Sequence, residues 1–215
     1  MPGPDTSRAN RYPAVLLFGP TGCGKTPLGQ LLEAEGLWGR RCVHFDFGMA
    51  LRQCATASAR GCGTVTPDER AFLQQVLETG ALLEDEHFPI ARKVLLDFLA
   101  RRGADSQTMI VLNGLPRHVG QAEALEAIVA VEAVVHLVCE PEVAVERIRS
   151  DAGGDRNGRA DDALAAVRAR IETFDRRTLP LLDHYRARGV RIIRADVGVT
   201  TTSHALRAQL ERESA

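Results

Sequence analysis

The sequence predicts an α/β fold built on a parallel sheet. Five short apolar runs are rich in Val, Ile and Leu without polar alternation, as expected of strands that helices cover on both faces. Amphipathic helical patterns separate these runs, and strands that alternate with helices indicate parallel strands joined by crossover helices. The apolar runs are Ala14–Phe18, Cys42–Phe45, Met109–Leu112, Val134–Val138 and Val190–Ile193.

The composition is that of one globular domain. The 215 residues are 45% hydrophobic, which is enough apolar material for a core and excludes a wholly disordered chain. No apolar run approaches the roughly 18 residues that a membrane helix needs. A net charge of −1 argues against a general binder of nucleic acid or anionic membranes. We therefore expect neither nucleic acid nor a membrane as a partner. We also expect a monomer whose partners are small molecules.

Five cysteines are scattered through the chain, and none of them forms a C-x-x-C pair. This pattern predicts neither a disulfide framework nor a zinc knuckle. The polar start of the chain is followed by an apolar stretch, Ala14–Phe18, that is too short for a signal peptide. We therefore expect a protein of the reducing cytoplasm, with residues 1–12 as a flexible tail.

Helical patterns fill the gaps between the strands. Residues 66–69, Thr-Pro-Asp-Glu, form a capping box with proline in the first turn of the next helix. An apolar helical spacing over residues 164–188 predicts one long helix. Two stretches, residues 47–106 and the Gly-rich residues 149–160, are longer than a simple crossover needs. Such excursions in α/β proteins commonly carry substrate contacts or lids.

The strongest local motif follows the first strand directly. Residues 19–26, Gly-Pro-Thr-Gly-Cys-Gly-Lys-Thr, match G-x-x-x-x-G-K-[ST] in full, and a helical pattern begins immediately after them. In such a loop the glycines let backbone N–H groups wrap a phosphate, and the helix directs its positive end at the same anion. Lys25 would reach the β- and γ-phosphates of a nucleotide, and Thr26 would offer its hydroxyl to Mg²⁺.

The lysine of this loop and the residue that follows the loop are both unusual. Lys25 and Lys93 are the only lysines among 27 basic residues, and a lysine differs from an arginine in being a compact point charge on a flexible stem. Pro27 follows the motif in the first helical turn, where it has no N–H to donate. We therefore expect one backbone contact to the α-phosphate to be missing.

Several segments together resemble the adenylate kinase family of nucleoside monophosphate kinases, over nearly all of residues 14–213. Residues 111–125, V-L-N-G-L-P-R-H-V-G-Q-A-E-A-L, resemble the family's D-G-F-P-R-x-x-x-Q-A-x-x-L signature. Residues 45–52 are similar to its segment ending G-D-x-L-R, residues 80–83 to its G-x-L-[VL] step, and residues 159–174 to its R-x-D-D element. The order and spacing of these pieces carry the resemblance.

The resemblance implies an acceptor site for a nucleoside monophosphate. Arg52 and Arg117 would hold the acceptor phosphate, beside Gly114. Gln121 would read the acceptor base, because a glutamine amide can bond an adenine edge through two hydrogen bonds. Leu83 would help to line the pocket for that base.

The resemblance also implies a donor site for ATP, with Arg147 lying against the adenine. Arg159 and Arg170 would clamp the phosphates as the lid closes, and they are 11 residues apart, so a continuous helix would carry them on one face. The predicted ATP-binding residues are Gly19, Thr21, Gly22, Cys23, Gly24, Lys25, Thr26 and Arg147. The predicted catalytic residues are Lys25, Arg117, Arg159 and Arg170.

The family's fold is a three-layer α/β domain around a five-stranded parallel sheet with strand order 2-3-1-4-5, and we expect it here. Its core would comprise residues 13–46, 107–148 and 161–215. Residues 47–106 would form a helical acceptor-binding insert, and residues 149–160 a short lid. That lid lacks four zinc-ligand residues, so it is similar to the short, metal-free kind.

Asn113 departs from the family's signature, which has an aspartate at this position. That aspartate orients water on Mg²⁺, and an asparagine would accept from the same water without adding charge. The predicted metal contacts are therefore Thr26 and, through water, Asn113. Asp46, at the end of the second strand, has two interpretations: a carboxylate near the metal, or the N-cap of the next helix.

Two further departures concern the nucleotide sites. Phe47 replaces a small hydroxyl residue near the acceptor base, where it would either stack on the base or narrow the pocket. Asp151 stands where the family has an arginine, for which Arg149 or Arg156 would have to compensate.

The predicted function is reversible, ATP·Mg-dependent transfer of a phosphoryl group to a nucleoside monophosphate, with AMP as the favoured acceptor. Phe47 leaves CMP, UMP or another small acceptor as an alternative. Asn113, Asp151 and Pro27 leave a nucleotide-binding module with weak catalysis as another. The cations that match the family's positions favour the kinase, since simple binding would not need so many of them.

Overall fold

The computed structural model describes residues 11–56, 62–79, 81, 83–154 and 164–213. All five predicted strands are present and form one parallel sheet in the order β2-β3-β1-β4-β5, as expected. The strands are Tyr12–Phe18 (β1), Cys42–Asp46 (β2), Met109–Asn113 (β3), Val129–Val138 (β4) and Arg191–Asp196 (β5). The first strand therefore begins at Tyr12, inside the segment that was expected to be a tail.

Helices form the two layers that cover the sheet. They are Lys25–Glu35 (α1), Phe47–Thr56 (α2), Pro67–Thr79 (α3), Phe88–Arg101 (α4), Val119–Leu125 (α5), Pro141–Arg149 (α6), Leu164–Thr173 (α7), Leu181–Ala187 (α8) and Ser203–Arg212 (α9). Helices α1 and α9 share one hydrophobic core with the sheet, and α2, α3, α4, α5 and α8 share the other. Helices α6 and α7 pack against each other in a smaller cluster.

The first strand shows why the central strands are rich in apolar residues. Leu16 and Phe18 belong to the core on one face of the sheet, and Val15 and Leu17 to the core on the other. All four are at most 2% exposed. Because both faces are covered, successive side chains of a strand are buried whichever way they point.

The stretch between β2 and β3 is helical, as expected. The capping box forms at the start of α3: the Thr66 N–H donates to the Glu69 carboxylate over 2.8 Å, and the Glu69 N–H donates to the Thr66 hydroxyl over 3.2 Å. Helix α4 packs directly on the sheet, with the Phe98 ring 5.1 Å from the Phe45 ring of β2. Within this stretch, α4 therefore acts as the crossover helix to β3, and α2 and α3 contribute to the wall of a cavity at the carboxyl ends of the strands.

Two of the predicted element boundaries differ most from the structure. The long helix over residues 164–188 is interrupted, because α7 ends at Thr173, a π-helical turn follows over Phe174–Thr178, and Pro180 precedes α8. A proline lacks the N–H that would continue the helical ladder. Strand β4 begins at Val129, earlier than its apolar run. The prediction missed this start because the exposed Glu132, which pairs with Arg40 over 2.9 Å, interrupts the apolar pattern.

Cys54 and Cys62 form a disulfide, with a Cα–Cα distance of 5.3 Å. The expectation that the chain has no such bridge was therefore wrong. The eight-residue separation gave no signal, because nothing in the sequence shows that the end of α2 returns beside the start of α3. In the described part of the chain, no helix has the length and apolar character required to span a membrane.

Candidate active site

A cavity of about 320 Å³ opens at the carboxyl ends of β1, β2 and β3. Strand β1 lies between β3 and β4, so the connections on its two sides run in opposite directions across the sheet. Open α/β sheets bind ligands in the crevice that such a reversal creates. The described residues of its wall include parts of the phosphate loop, α2, α3, the β3–α5 turn, α5, α6 and α7.

The phosphate loop, residues 19–26, joins β1 to α1 and lines this cavity. Gly24 caps α1 with φ 89°, a left-handed conformation that a residue with a Cβ adopts with strain. Gly22 also has positive φ, and a Cβ there would meet the Ala144 carbonyl of α6 at 2.7 Å. The motif's glycines are therefore required by the backbone path of the loop and by its close approach to α6.

Lys25 lies across the mouth of the phosphate loop. Its Nζ donates to the carbonyl oxygens of Gly19 over 2.7 Å and of Pro20 over 2.6 Å. Cys23 lies beneath the loop in the core, fully buried, with its Sγ 3.5 Å from the same Nζ. The Cys23 side chain therefore does not line the cavity, unlike the other predicted loop residues.

Three side chains meet where the loop faces β2 and β3. The Thr26 hydroxyl donates to Asp46 Oδ2 over 2.8 Å, and the Asn113 amide donates to the same oxygen over 2.9 Å. The Asn113 nitrogen also lies 3.1 Å from Thr26 Oγ1. A hydroxyl and a carboxylate are hard oxygen donors of the kind that Mg²⁺ prefers, so this corner fits the metal.

The Asp46 carboxylate caps a helix through one oxygen and faces the cavity with the other. Its Oδ1 accepts the Met49 N–H over 2.9 Å and so caps the start of α2. Its Oδ2 faces Thr26 and Asn113 at the cavity, and the residue is 9% exposed. One side chain thus fixes the start of α2 and supplies a carboxylate beside the phosphate loop.

His44 lies two residues earlier on β2, behind this corner. It is buried, with its Nε2 3.5 Å from Asn113 Nδ2. Burial lowers the pKa of the imidazole, and the nearby Asp46 charge only partly opposes this effect. A lowered pKa keeps the ring neutral at neutral pH. Gly29 of α1 leaves the space that the ring occupies.

The predicted acceptor residues line the opposite part of the same cavity. Arg52 extends from α2, Leu83 from the segment after α3, and Gly114 and Arg117 from the turn after β3. The Arg117 guanidinium donates from Nε to the Gly114 carbonyl over 3.0 Å, which fixes its direction. The structure therefore brings the five predicted acceptor residues, Gln121 included, from three separate segments of the chain to one cavity.

Gln121 is 1% exposed and already hydrogen-bonded at both ends of its amide. Its Nε2 donates to the Leu83 carbonyl over 2.7 Å, and its Oε1 accepts the Arg117 N–H over 2.9 Å. An amide has a second N–H and a second lone pair. Gln121 therefore joins the two walls of the acceptor side and keeps half of its hydrogen-bonding capacity for a ligand.

Positive charge is concentrated around the cavity. Its described lining includes Lys25, Arg52, Arg117, Arg147 and Arg170, and within that lining Asp46 is the one carboxylate. Burial lowers the pKa of the Arg117 guanidinium, the Asp46 charge opposes that effect and the Arg170 charge adds to it. Arginine keeps its proton in proteins, so the site presents fixed positive charge to an anionic ligand.

A family model described as adenylate kinase matches residues 17–190 of this chain.

The chain belongs to the adenylate kinase family.

Curated relatives agree with this assignment. The adenylate kinase of Synechococcus sp. (strain WH7803) is 34% identical over 184 residues, which cover 83% of this chain and 87% of that protein. The adenylate kinase of Stenotrophomonas maltophilia (strain R551-3) is also 34% identical over 184 residues, with coverages of 81% and 86%. Membership makes this protein a phosphotransferase of the nucleoside monophosphate kinase class.

A solved structure supports the fold. The crystal structure of a gluconokinase from Sinorhizobium meliloti 1021 is similar, with a TM-score of 0.51, 20% identity and 94% coverage of both chains. At this identity the similarity concerns the architecture alone.

Arg147, which the adenylate kinase signature places against the donor adenine, is only 6% exposed. Its Nε donates to the Gly22 carbonyl over 3.2 Å, and its Nη1 lies 2.9 Å from the carbonyls of Gly198, Val199 and Thr201. The guanidinium therefore ties the phosphate loop to the segment before α9. It also lines a second cavity of about 370 Å³ beside Pro27, next to the phosphate loop.

The structure describes one of the two arginines that were predicted to clamp the phosphates. Arg170 lies on α7 and lines the cavity, with its Nε donating to the Ala166 carbonyl over 3.3 Å. Arg159 and Arg156 lie outside the described residues, as does the second half of the predicted lid, residues 155–160. Helix α7 begins at Leu164 in the described part, so the shared helical face of Arg159 and Arg170 stays a prediction.

Phe47 is the first residue of α2 and lines the cavity. It is 4% exposed, and its ring packs 6.0 Å from the Phe45 ring at an angle of 40°. The ring is therefore built into the wall, where it limits the width of the acceptor side relative to a small hydroxyl residue.

Two polar pairs beside the acceptor side have no counterpart in the sequence predictions. His118 lies 3.2 Å from the Leu83 carbonyl through Nε2 and 3.1 Å from the Asp85 carboxylate through Nδ1. Glu84 accepts two hydrogen bonds of 2.7 Å from Arg177, in the π-helical turn after α7. Residues 83–85 are thus held to the β3–α5 turn and to the α7–α8 connection. Only the fold brings these partners together, so no spacing in the sequence could have indicated them.

Proposed function

We propose that this protein transfers the γ-phosphoryl group of ATP·Mg reversibly to AMP, giving two molecules of ADP. The observation that carries the proposal is the single cavity that joins Lys25 and Thr26 at one end to Arg52, Arg117 and Gln121 at the other. A site that only bound ATP would not need the second set of cations. Two phosphate-binding ends in one cleft are what in-line transfer between two nucleotides requires.

The chemistry asks the protein mainly to position substrates and to offset negative charge. Lys25 would leave the loop carbonyls for the β- and γ-phosphates, because a flexible ammonium can follow a group as it moves. Arg117 and Arg170 would bind the oxygens of the transferring group from the opposite side. Both are fixed in place before the reaction, so little reorganisation is needed when charge develops.

Magnesium would be held by the Thr26 hydroxyl and the nucleotide's phosphates, and when bound it neutralises charge on the β- and γ-oxygens. Water must be kept from the phosphoryl group, since it is a competing acceptor. Apolar residues of α2 and α3 together with Phe174 line the cleft and contribute to that exclusion.

AMP is the proposed acceptor because Gln121 keeps one N–H and one lone pair for the edge of a base. An adenine edge offers a matching acceptor and donor. The Phe47 ring in the cavity wall favours a second candidate, a kinase for CMP or UMP, because it leaves less room than a small hydroxyl residue would. The two candidates therefore differ in the size of the base they accept, a purine or a pyrimidine, and this difference can be tested.

The test is a coupled assay of ADP formation from ATP·Mg with AMP, GMP, CMP and UMP in turn. We expect kcat/KM to be highest for AMP and turnover to be lost when Mg²⁺ is omitted. A preference for CMP or UMP would select the second candidate. ATP binding without turnover on any acceptor would show a nucleotide-binding module and contradict the proposal.

A further inference from the structure

We infer that Asp46 is the carboxylate of the magnesium site, moved from the end of β3, where the family's signature has its aspartate, to the end of β2. The inference rests on the proposed function only in assuming that ATP·Mg binds at the phosphate loop. It assigns to Asp46 the charge that Asn113 lacks, and it makes Asn113 a partner of that carboxylate.

The sheet register places the two residues side by side. Strands β2 and β3 are parallel neighbours, and Asp46 is the register partner of Asn113. Adjacent strands lie about 4.8 Å apart, so a side chain on one can reach the space beside a side chain on the other. Asp46 Oδ2 does so, 2.9 Å from the Asn113 amide nitrogen. A carboxylate at either position thus serves the same corner of the cavity.

The contact with Thr26 gives this carboxylate its relation to the metal. The Thr26 hydroxyl donates its proton to Asp46 Oδ2 over 2.8 Å. A hydroxyl whose proton is directed to a carboxylate keeps its oxygen as an acceptor, and the one lone pair that Asn113 does not use is left for a cation. In phosphate-loop enzymes Mg²⁺ is held by this Ser or Thr together with an aspartate. Asp46 is thus placed to orient Thr26 and to add a negative charge beside the metal.

The described cavity wall contains no second carboxylate that could lie beside the metal. Asp46 is its one carboxylate, among five cationic side chains. The family's G-D-x-L-R segment has another aspartate, but this chain has Met49 at that position, after Gly48, so it offers no carboxylate there either. Mg²⁺ is usually bound through one or two carboxylates in addition to the phosphates of its substrate.

Asp46 and Asn113 are held in place from behind. The Met49 N–H fixes Asp46 Oδ1, so only Oδ2 is directed toward the loop. The Asn113 nitrogen faces Asp46, Thr26 and His44, at 2.9, 3.1 and 3.5 Å respectively. Partners that orient a metal's ligands in this way typically change metal affinity by about 10- to 100-fold when they are removed.

The experiment compares ATP binding in Mg²⁺ with ATP binding in EDTA by calorimetry, so it needs no turnover. In Asp46→Asn, the tightening of ATP binding by Mg²⁺ should fall by about 10- to 100-fold. Its affinity in EDTA should stay equal or rise, because a negative charge beside the phosphates is gone. Mn²⁺ in place of Mg²⁺ gives a second readout, since the electron paramagnetic resonance spectrum of Mn²⁺ reports on the Mn²⁺·ATP complex.

The double variant Asp46→Asn with Asn113→Asp moves the carboxylate back to β3. The interstrand hydrogen bond is kept with its direction reversed, and an asparagine at position 46 still caps α2, so the fold is preserved. We expect this variant to regain most of the Mg²⁺ dependence. Asp183→Asn, which removes an 84% exposed carboxylate outside the cavity lining, is the matched control and should leave binding unchanged.

Two results would overturn the inference: Asp46→Asn with the parent's Mg²⁺ dependence, or a folded double variant that recovers none of it. Thermal unfolding of each variant shows whether it is folded. The result is also separate from the fate of the proposed function. Mg²⁺-dependent ATP binding that requires Asp46, without turnover on any monophosphate, would uphold the inference and reject the kinase.

Discussion

The donor and acceptor sides of the cavity are built in different ways. The donor side is one continuous loop, residues 19–26, whose glycines and lysine act within a few residues of one another. The acceptor side is assembled from α2, the segment after α3 and the β3–α5 turn, and its polar groups bond to each other, as Gln121 does with the Leu83 carbonyl. A local site is specified by spacing alone, whereas an assembled site depends on the tertiary fold for both its position and its free hydrogen-bonding groups.

The largest expected effect tests the donor side. Replacing Lys25 with methionine removes the flexible charge at the phosphates, and we expect kcat to fall by on the order of 10²- to 10³-fold, measured by ADP formation. The chain offers a matched control in Lys93→Met, because its only other lysine pairs with Glu69 over 2.6 Å, between α4 and α3. A Lys25→Met enzyme within about threefold of the parent would contradict a catalytic role for this residue.

The second effect tests the acceptor side. Gln121→Leu keeps the size of the side chain but loses its contacts to the base, to the Leu83 carbonyl and to the Arg117 N–H. We expect kcat/KM for AMP to fall by about 10- to 100-fold while the KM for ATP stays within about twofold. Gln209→Leu, a half-buried position on α9 outside the cavity lining that donates to the Arg194 carbonyl, is the control. An equal loss for both nucleotides would mean that Gln121 has a structural role only.

A smaller effect returns to the donor loop. Pro27→Ala supplies the N–H that the first turn of α1 lacks, and one added hydrogen bond to a phosphate should tighten ATP binding by about fivefold. Calorimetric titration with ATP measures the change, and thermal unfolding checks that α1 still forms without proline in its first turn. Unchanged or weaker ATP binding by the folded variant would show that the missing N–H has no cost.

The smallest effect concerns the tie between the acceptor side and the α7–α8 connection. The hydrogen bonds and charge of Arg177 lower the pKa of the half-exposed Glu84. A lowered folded-state pKa contributes stability that is present at neutral pH and is lost as the pH falls through that pKa. Glu84→Gln should therefore lower the free energy of unfolding by at most about 0.5 kcal/mol at pH 7.

That difference should vanish at an acidic pH below the lowered pKa of Glu84, where the parent's Glu84 is protonated as well. Chemical unfolding at both pH values measures it, with Asp183→Asn, a carboxylate paired within α8, as the control. A Glu84→Gln difference that persisted in acid would contradict an origin in the charge of Glu84.

The sequence by itself determined the parallel sheet, the strand order through the family resemblance, and the phosphate loop. These follow from patterns that are local or continuous: apolar runs such as Ala14–Phe18, and the eight contiguous residues of the loop. The largest error in the strand predictions is in β4, where the exposed Glu132 interrupts the apolar pattern. A run of this kind is specified by its own residues, because burial on both faces requires apolar side chains whatever lies across the sheet.

Only the tertiary structure decided which distant groups meet. The Cys54–Cys62 bridge, the Glu84–Arg177 pair and the four carbonyls around Arg147 depend on how helices and loops pack, which leaves no trace in spacing. Asp46 is the clearest case, since its sequence position fits an N-cap equally well. The pairing of β2 with β3 in parallel register places it beside Asn113 and Thr26, and this turns a helix cap into a carboxylate at the phosphate loop.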